Sequence, residues 1–295
     1  MSNIQFKGLG VAMVTPFNED GSVDYEALER LIEYQITNGA DYLVALGTTA
    51  ETPTLSDEEK KEIVCFFVDK IAGRVPLVVG VGGNCTSEVA TQLQKMDCDG
   101  VSAILSVTPY YNKPTQEGLY QHYVALSSVS KLPIILYNVP GRTGVNMTAE
   151  TTLRIAEKCS NVIAVKEASG NLEQIKQIVA GAPSGFNVIS GDDAVTSAVI
   201  ECGGIGVISV FGNAFPKEMK WLVQSALEGN AVKAREKMEA SYDTLFDLMF
   251  IDGNPAGVKC LLSKKGMLHN ILRLPLVPAC DDTEQKIEAE LKKIS

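Results

Sequence analysis

The chain has 295 residues, of which 45% are hydrophobic and 21% charged, and its formal net charge at pH 7 is −10. This size predicts one large domain or two small ones with a sizeable core, and the negative charge argues against nucleic acid or an anionic membrane as a partner. No apolar run reaches the length of a membrane span and the N-terminus lacks a signal layout, so we expect a cytoplasmic protein.

Cysteine and histidine usage limits the possible chemistry. The seven cysteines are scattered and never form a C-x-x-C pair, which is typical of reduced thiols rather than of disulfides or a zinc site. The only histidines, His122 and His269, lie far apart in the sequence, so a histidine metal centre or a Ser-His-Asp triad is not expected. Proton transfer is then left to tyrosine, threonine, lysine or carboxylates.

Short apolar runs alternate with helical patterns along the first 224 residues. Such alternation predicts βαβ units, and eight units in this length match a (β/α)8 TIM barrel. A doubly wound sheet is the alternative, but no G-x-G-x-x-G motif follows any strand. The eight predicted strands are Gly8–Pro16, Asp41–Gly47, Pro76–Gly82, Gly100–Val107, Pro133–Val139, Val162–Ala168, Phe186–Asp192 and Ile205–Val210.

Helix start signals separate these strands, at Asp24, Ser56, Thr86 and Thr148, and Ser56 heads a capping-box pattern. After Trp221 the sequence looks wholly helical, in three successive segments at residues 225–249, 255–266 and 282–295. These exceed what the last helix of a barrel requires. We therefore predict a barrel over residues 1–224 and a C-terminal helical extension, packed on the barrel, over residues 225–295.

Lys166 closes one of the apolar runs, Val162–Ala168. Strand residues two apart share a face, so Lys166 points the same way as Ala164. Burial disfavours the charged form of an amine, and a neutral amine can attack a carbonyl to form a Schiff base. From this run alone, a lysine that reaches into solvent at the strand end is the simpler interpretation.

The carboxyl ends of barrel strands meet at one rim, where TIM barrels carry their chemistry. Hydroxyls, phenols, one arginine and one lysine follow the predicted strands, and this combination favours a functional role for the lysine. Each residue also has a purely structural explanation. The threonines could belong to turns, the arginine could be a solvated loop residue, and the two acids could cap a helix. Tyr137 could fill the core, and the paired tyrosines could lie at a subunit contact. The rim residues are Thr48, Thr49, Tyr110, Tyr111, Tyr137, Arg142, Lys166, Gly191, Asp192, Asp193 and Ile208.

Six motifs at these strand ends carry a resemblance to a known family. From Gly8 to about Pro278 the chain resembles the dihydrodipicolinate synthase family. These are pyruvate-dependent class I aldolases, grouped with N-acetylneuraminate lyase and the 2-keto-3-deoxy sugar acid aldolases. The motifs, in order, are GTTAE, VTPYYN, YNVPGRTG, VKEASG, SGDD and GVISV.

The resemblance implies catalytic roles for four residues. Lys166 would form a Schiff base with pyruvate, and the phenol of Tyr137 would shuttle protons. Thr48 would link Tyr137 in a proton relay to Tyr111, which the family supplies from a neighbouring subunit. One departure is Ala50, which stands where the family usually has glycine; its methyl group is tolerated if φ is negative.

The resemblance also implies the substrates. The backbone at Thr49 and Ile208, with Gly191 nearby, would hold the pyruvate carboxylate. Arg142 would clamp the carboxylate of (S)-aspartate-4-semialdehyde, giving 4-hydroxy-tetrahydrodipicolinate in the diaminopimelate and lysine pathway. The cationic imine serves as the electron sink, so no metal or other cofactor is implied.

Two alternatives stay open. A sister aldolase would act on N-acetylneuraminate or a 2-keto-3-deoxy sugar acid, against which Arg142 and the Tyr110–Tyr111 pair argue. A non-catalytic barrel that senses small molecules would be expected to lack Lys166 or Tyr137, and both are present.

The family resemblance further implies assembly and regulation. We expect a homotetramer made of two tight dimers. Asn84, Glu88 and Tyr110 match a lysine-effector site of some members, but Asp57 and Lys60 replace residues that are often histidine in lysine-sensitive members. A cationic Lys60 would repel the ammonium group of lysine, so we expect weak or absent feedback inhibition.

Overall fold

The computed structural model describes residues 6–294, in which eight parallel strands form a closed barrel in sequence order. Each strand pairs with the next, and β8 returns to β1 with Gly10 opposite Ile208. The prediction of a TIM barrel is confirmed, and every strand lies inside its predicted run. The strands are β1 Gly8–Ala12, β2 Tyr42–Ala45, β3 Leu77–Gly80, β4 Ala103–Val107, β5 Ile134–Asn138, β6 Val162–Glu167, β7 Asn187–Ser190 and β8 Gly206–Ser209.

Helices follow the strands and surround the barrel, and short 3-10 turns occur at Thr48–Ala50, Thr52–Thr54 and Phe211–Asn213. The helices are α1 Tyr25–Thr37, α2 Asp57–Ile71, α3 Thr86–Lys95, α4 Gln116–Val129, α5 Pro140–Thr143, α6 Ala149–Lys158, α7 Leu172–Gly181, α8 Thr196–Glu201, α9 Pro216–Ser225, α10 Ala231–Ile251, α11 Ala256–Lys264 and α12 Asp281–Ile294. Within residues 6–294 no helix is both long and apolar enough to cross a membrane.

The predicted helix starts are confirmed at three of four positions. Asp24 and Thr148 accept a hydrogen bond from the third backbone N–H of their helices, and Ser56 forms the predicted reciprocal capping box. The prediction for Thr86 is wrong, because Thr86 is already the first residue of α3 and Cys85 precedes it. The Thr86 hydroxyl instead lies 2.9 Å from Nδ1 of His122 on the neighbouring α4.

The core has two layers. An outer layer lies between strands and helices, and a smaller cluster fills the barrel interior, including Ala12, Val44, Ile135, Ala164 and Ile189. Because side chains alternate along a strand, Tyr137, two positions after Ile135, and Lys166, two after Ala164, point into the same interior near its carboxyl-terminal end. That end is where the candidate site lies.

The C-terminal helices pack on the barrel but are not continuous with one another. Leu245 and Met249 of α10 and Leu261 of α11 belong to the same apolar cluster as Leu9 of β1. The three helical segments predicted after Trp221 correspond to α10, α11 and α12, and residues 265–280 connect α11 to α12 without regular structure. The division of the chain into residues 1–224 and 225–295 stays a prediction.

His122 makes the stability of the fold depend on pH. The ring is buried, its Nε2 has no hydrogen-bond partner among the described residues, and burial lowers the pKa of His122 from 6.5 to about 4. The unfolded state therefore binds the proton more readily, and stability is lost as pH falls from 6.5 towards 4.

We expect this residue to remove about 2 kcal/mol from the free energy of unfolding between pH 7.5 and pH 5. Urea unfolding of the wild type and of His122→Gln, which has no titrating ring, measures that difference. An equal loss of stability in both proteins would show that other groups carry the acid sensitivity.

Candidate active site

Lys166 and Tyr137 lie side by side in the barrel interior. They are direct neighbours in the pairing of β5 with β6, and the Lys166 Nζ lies 4.3 Å from the centroid of the Tyr137 ring. Their exposed fractions are 5% and 6%, so the lysine does not reach into solvent. Within residues 6–294 the Lys166 amine has no carboxylate partner, which leaves it available to a bound carbonyl compound.

Gly191 provides the space that Lys166 occupies. A Cβ atom at position 191 would lie 3.0 Å from Cε of Lys166 and 2.7 Å from Cβ of Ala168. These separations are shorter than ordinary van der Waals contacts. A larger residue would therefore displace the lysine, so glycine at this position is a steric requirement of the site.

Thr48 and Thr49 lie on the 3-10 turn that directly follows β2. Thr49 is buried, and its hydroxyl oxygen accepts a hydrogen bond from Nδ2 of Asn254 at 3.0 Å. Ala50 is buried in the same turn with negative φ, so the condition for accepting its methyl group is met. The residue that adopts the left-handed conformation is Glu51, with φ of 55°.

Arg142 lies at the same rim, on α5, which is a single helical turn after β5. The sequence had suggested a loop at this position. Gly144, with φ of 72°, ends that turn. The arginine is exposed, and its Nη2 donates to the carbonyl oxygen of Asn254 at 3.4 Å. Asn254 therefore connects Thr49 to Arg142. Sequence reasoning missed it, since an Asn-Pro pair indicates only a turn.

Ile208 is fully buried in β8, within the interior cluster that also holds Tyr137. The segment after it is fixed by Asp193, whose Oδ2 accepts hydrogen bonds from the backbone N–H groups of Val210 and Phe211, both at 2.9 Å. Desolvation raises the pKa of the Asp193 carboxyl group. The interpretation of Asp193 as a helix-capping acid is therefore wrong.

Asp192 differs from its neighbour. Its Oδ1 accepts from the backbone N–H of Ala194 at 3.0 Å, which is a local turn contact. Because α8 begins only at Thr196, neither acid belongs to the first turn of that helix. The sequence suggested that these two acids begin a helix. Instead, Asp192 stabilises a local turn and Asp193 accepts hydrogen bonds from backbone 17 and 18 positions away.

Glu167, next to Lys166, points to the other face of β6 and was also missed. Its carboxylate accepts hydrogen bonds from Asn138 Nδ2 at 3.1 Å, Gln174 Nε2 at 3.0 Å and the Ser169 backbone N–H at 2.8 Å. These contacts tie the end of β6 to β5 and to the start of α7. They fix the backbone from which the lysine extends.

Tyr110 and Tyr111 lie outside the interior. Tyr111 is 83% exposed and adopts a left-handed backbone conformation with φ of 72°. Within residues 6–294 of the single chain, no hydrogen bond joins the hydroxyls of Thr48, Tyr137 and Tyr111. The predicted relay is therefore not assembled by one chain alone.

The residues matched to a lysine-effector site lie near this loop. Asn84 Nδ2 is 3.4 Å from the carbonyl oxygen of Tyr110, and Glu88 is exposed on α3. Lys60 pairs with Asp57 at 3.1 Å on α2.

The described residues contain no group of three or more histidine, cysteine or acidic side chains arranged to hold a metal ion.

Residues 5–294 match the model of the dihydrodipicolinate synthetase family. The chain is 57% identical to the 4-hydroxy-tetrahydrodipicolinate synthase of Parabacteroides distasonis, over 100% of this chain and 99% of that protein. The dihydrodipicolinate synthase structure of Thermotoga maritima superposes with a TM-score of 0.95 at 43% identity, over 98% and 99% of the two chains. The chloride-inhibited enzyme of Acinetobacter baumannii, solved in complex with pyruvate, gives 0.94 at 37% identity and 98% coverage of both.

Proposed function

Because the chain belongs to the dihydrodipicolinate synthetase family, we propose that it is a lyase acting through a Schiff base on Lys166. It condenses pyruvate with (S)-aspartate-4-semialdehyde to give 4-hydroxy-tetrahydrodipicolinate, in the diaminopimelate and lysine pathway. The observation that carries this proposal is a buried lysine amine with no carboxylate partner in residues 6–294, set 4.3 Å from a tyrosine ring at the rim of the barrel.

The chemistry follows from the amine. The Lys166 nitrogen attacks the keto carbon of pyruvate, water leaves, and a cationic imine remains. Loss of a proton from the methyl group gives an enamine, whose carbon attacks the aldehyde. The imine nitrogen takes up the electron pair when the methyl proton leaves and returns it when the enamine carbon attacks the aldehyde. The amino group of the aldehyde substrate then attacks the imine carbon and displaces the Lys166 amine, which closes the ring and frees the lysine. The reaction as proposed uses no metal or other cofactor.

Tyr137 is the group placed to move these protons. A phenol by itself is a poor base at neutral pH, so it works best when linked to other hydroxyls. We assign Thr48 and Tyr111 to that relay. The 83% exposure of Tyr111 supports a role across a subunit contact rather than within its own chain.

The two carboxylates have separate sites in this proposal. The turn at Thr49, the backbone at Ile208 and the space beside Gly191 receive the pyruvate carboxylate. Arg142 receives the carboxylate of the aldehyde, because an exposed guanidinium at the rim can form a bidentate contact with it.

We further propose a homotetramer built from two tight dimers, in which Tyr111 completes the neighbouring site.

The location in the cytoplasm is also a proposal. It is supported by the absence of any disulfide among the seven cysteines, all of which lie within the described residues.

Trapping the imine tests the proposed function. The protein is incubated with pyruvate and reduced with borohydride, and the adduct is located by mass spectrometry and peptide mapping. We expect a single pyruvate-derived adduct on Lys166. No adduct, or one on another lysine, would contradict the Schiff-base mechanism and favour a non-catalytic barrel that binds small molecules.

The acceptor is tested separately. We expect turnover with (S)-aspartate-4-semialdehyde and none with N-acetylmannosamine or the aldehydes used by sugar acid aldolases. Preference for a sugar-derived aldehyde would leave the Schiff base in place but reassign the substrate.

Lysine feedback gives a further prediction. By the family resemblance Lys60 belongs beside the effector-site residues, where its charge would repel the ammonium group of a bound lysine. Its ion pair with Asp57 weakens that repulsion. We expect weak or absent inhibition by millimolar lysine in a steady-state assay. Strong inhibition would contradict this, and its appearance only in Lys60→His would confirm the role of this charge.

A further inference from the structure

Lys259 is a fully buried cation that the proposed mechanism does not use. It lies on α11 with its Nζ 2.5 Å from Oε1 of Glu51, and both side chains have an exposed fraction of 0%. The same amine donates to the carbonyl oxygen of Ile271 at 2.8 Å and lies 4.1 Å from the centroid of the Phe17 ring. Because desolvation offsets most of the attraction in a buried ion pair, stability alone does not explain the pair.

The Glu51 backbone explains why the pair matters to the site. Glu51 directly follows the Thr48–Ala50 turn, and its N–H donates to the carbonyl oxygen of Thr48 at 3.2 Å. Its φ of 55° is a left-handed conformation that costs free energy in any residue other than glycine. Contacts to its side chain therefore help to hold the turn in this shape, together with the Thr15 hydroxyl, which donates to the carbonyl oxygen of Ala50 at 2.8 Å.

A second contact comes from the segment after α11. The backbone N–H of Arg273 donates to Oε2 of Glu51 at 3.0 Å, so both carboxylate oxygens are engaged. The Arg273 guanidinium also donates to the carbonyl oxygen of Thr54 at 3.0 Å and to Glu59 at 2.5 and 2.8 Å. The C-terminal region therefore contacts the segment after β2 at three points, at Glu51, at Thr54 and at Glu59 in the first turn of α2.

We propose that the buried Glu51–Lys259 pair positions the Thr48–Ala50 turn for pyruvate. Both are positioning residues, since neither side chain is exposed to the rim and each acts through the backbone of the turn. This inference rests on the proposed function. It assigns to the C-terminal helices a part in pyruvate binding.

The double variant Glu51→Gln with Lys259→Met separates positioning from folding. It removes both charges together and keeps the side-chain volumes similar, a replacement that proteins often tolerate. We expect the protein to fold while kcat/KM for pyruvate falls about 10- to 100-fold, because small displacements of a binding group are costly. The KM for the aldehyde should change much less.

The control is another ion pair, only partly buried, at the opposite end of β2. Lys220 Nζ lies 2.6 and 2.8 Å from the two carboxylate oxygens of Asp41, which directly precedes that strand. Asp41→Asn with Lys220→Met should alter thermal stability without changing the KM for pyruvate. Equal kinetic effects from the two double variants would overturn the proposal, since a general loss of rigidity would then explain both.

A conservative variant covers the case in which the double variant does not fold. Glu51→Asp keeps the charge and shortens the side chain by one methylene group, so the turn should shift and the KM for pyruvate should still rise. Unchanged pyruvate kinetics in Glu51→Asp and in any folded double variant would contradict the positioning role. Failure of the wild type to form a pyruvate adduct would instead contradict the proposed function itself.

Discussion

Lys166→Met is expected to lose the pyruvate adduct completely and to reduce kcat by at least about 10⁴-fold, because no other group at the site can form the imine. Methionine has a similar length and no charge. The Lys166 amine has no carboxylate partner within residues 6–294, so the substitution breaks no ion pair and the barrel should stay folded. Borohydride trapping, steady-state rates and the thermal midpoint measure the three effects.

Lys176→Met is the control for this experiment. Lys176 is an exposed lysine on α7, the helix that follows β6, and its one ion pair within residues 6–294 is with Glu173 in the same helix. We expect it to keep both the adduct and the activity. An adduct that persists in Lys166→Met would show that a different amine carries the chemistry.

Tyr137→Phe is expected to lower kcat by about 10²- to 10⁴-fold, which is the usual contribution of a positioned proton donor or acceptor. The ring that packs 4.3 Å from the lysine amine remains, so only the hydroxyl is lost. We therefore expect the adduct with pyruvate to form more slowly but still on Lys166. Rates of adduct formation and of turnover distinguish these steps.

Tyr123→Phe provides the matched control, because this tyrosine is fully buried on α4 and donates to the carbonyl oxygen of Ser106 at 2.9 Å. Loss of that hydrogen bond should cost about 1 kcal/mol of stability. Turnover should be unchanged. A normal kcat in Tyr137→Phe would assign proton transfer to water or to another hydroxyl.

The sequence alone determined the barrel and the residues of its rim. Buried parallel strands read as short apolar runs, and helix caps depend on residues three positions apart, so both signals are local. The carboxyl ends of parallel strands must meet, which places Tyr137 beside Lys166 once the strand order is known. The family motifs then implied the chemistry.

Only the tertiary structure decided what supports those residues. Asn254 reaches Thr49 across 205 positions of sequence, and Arg273 reaches Glu51 across 222. Asp193 looked like a helix cap but binds the backbone after β8. A contact between distant residues has no sequence period, because it depends on how helices pack on the barrel rather than on spacing along the chain. The sequence therefore identified the reacting groups, while the packing of the C-terminal region decided how the turn after β2 is held beside them.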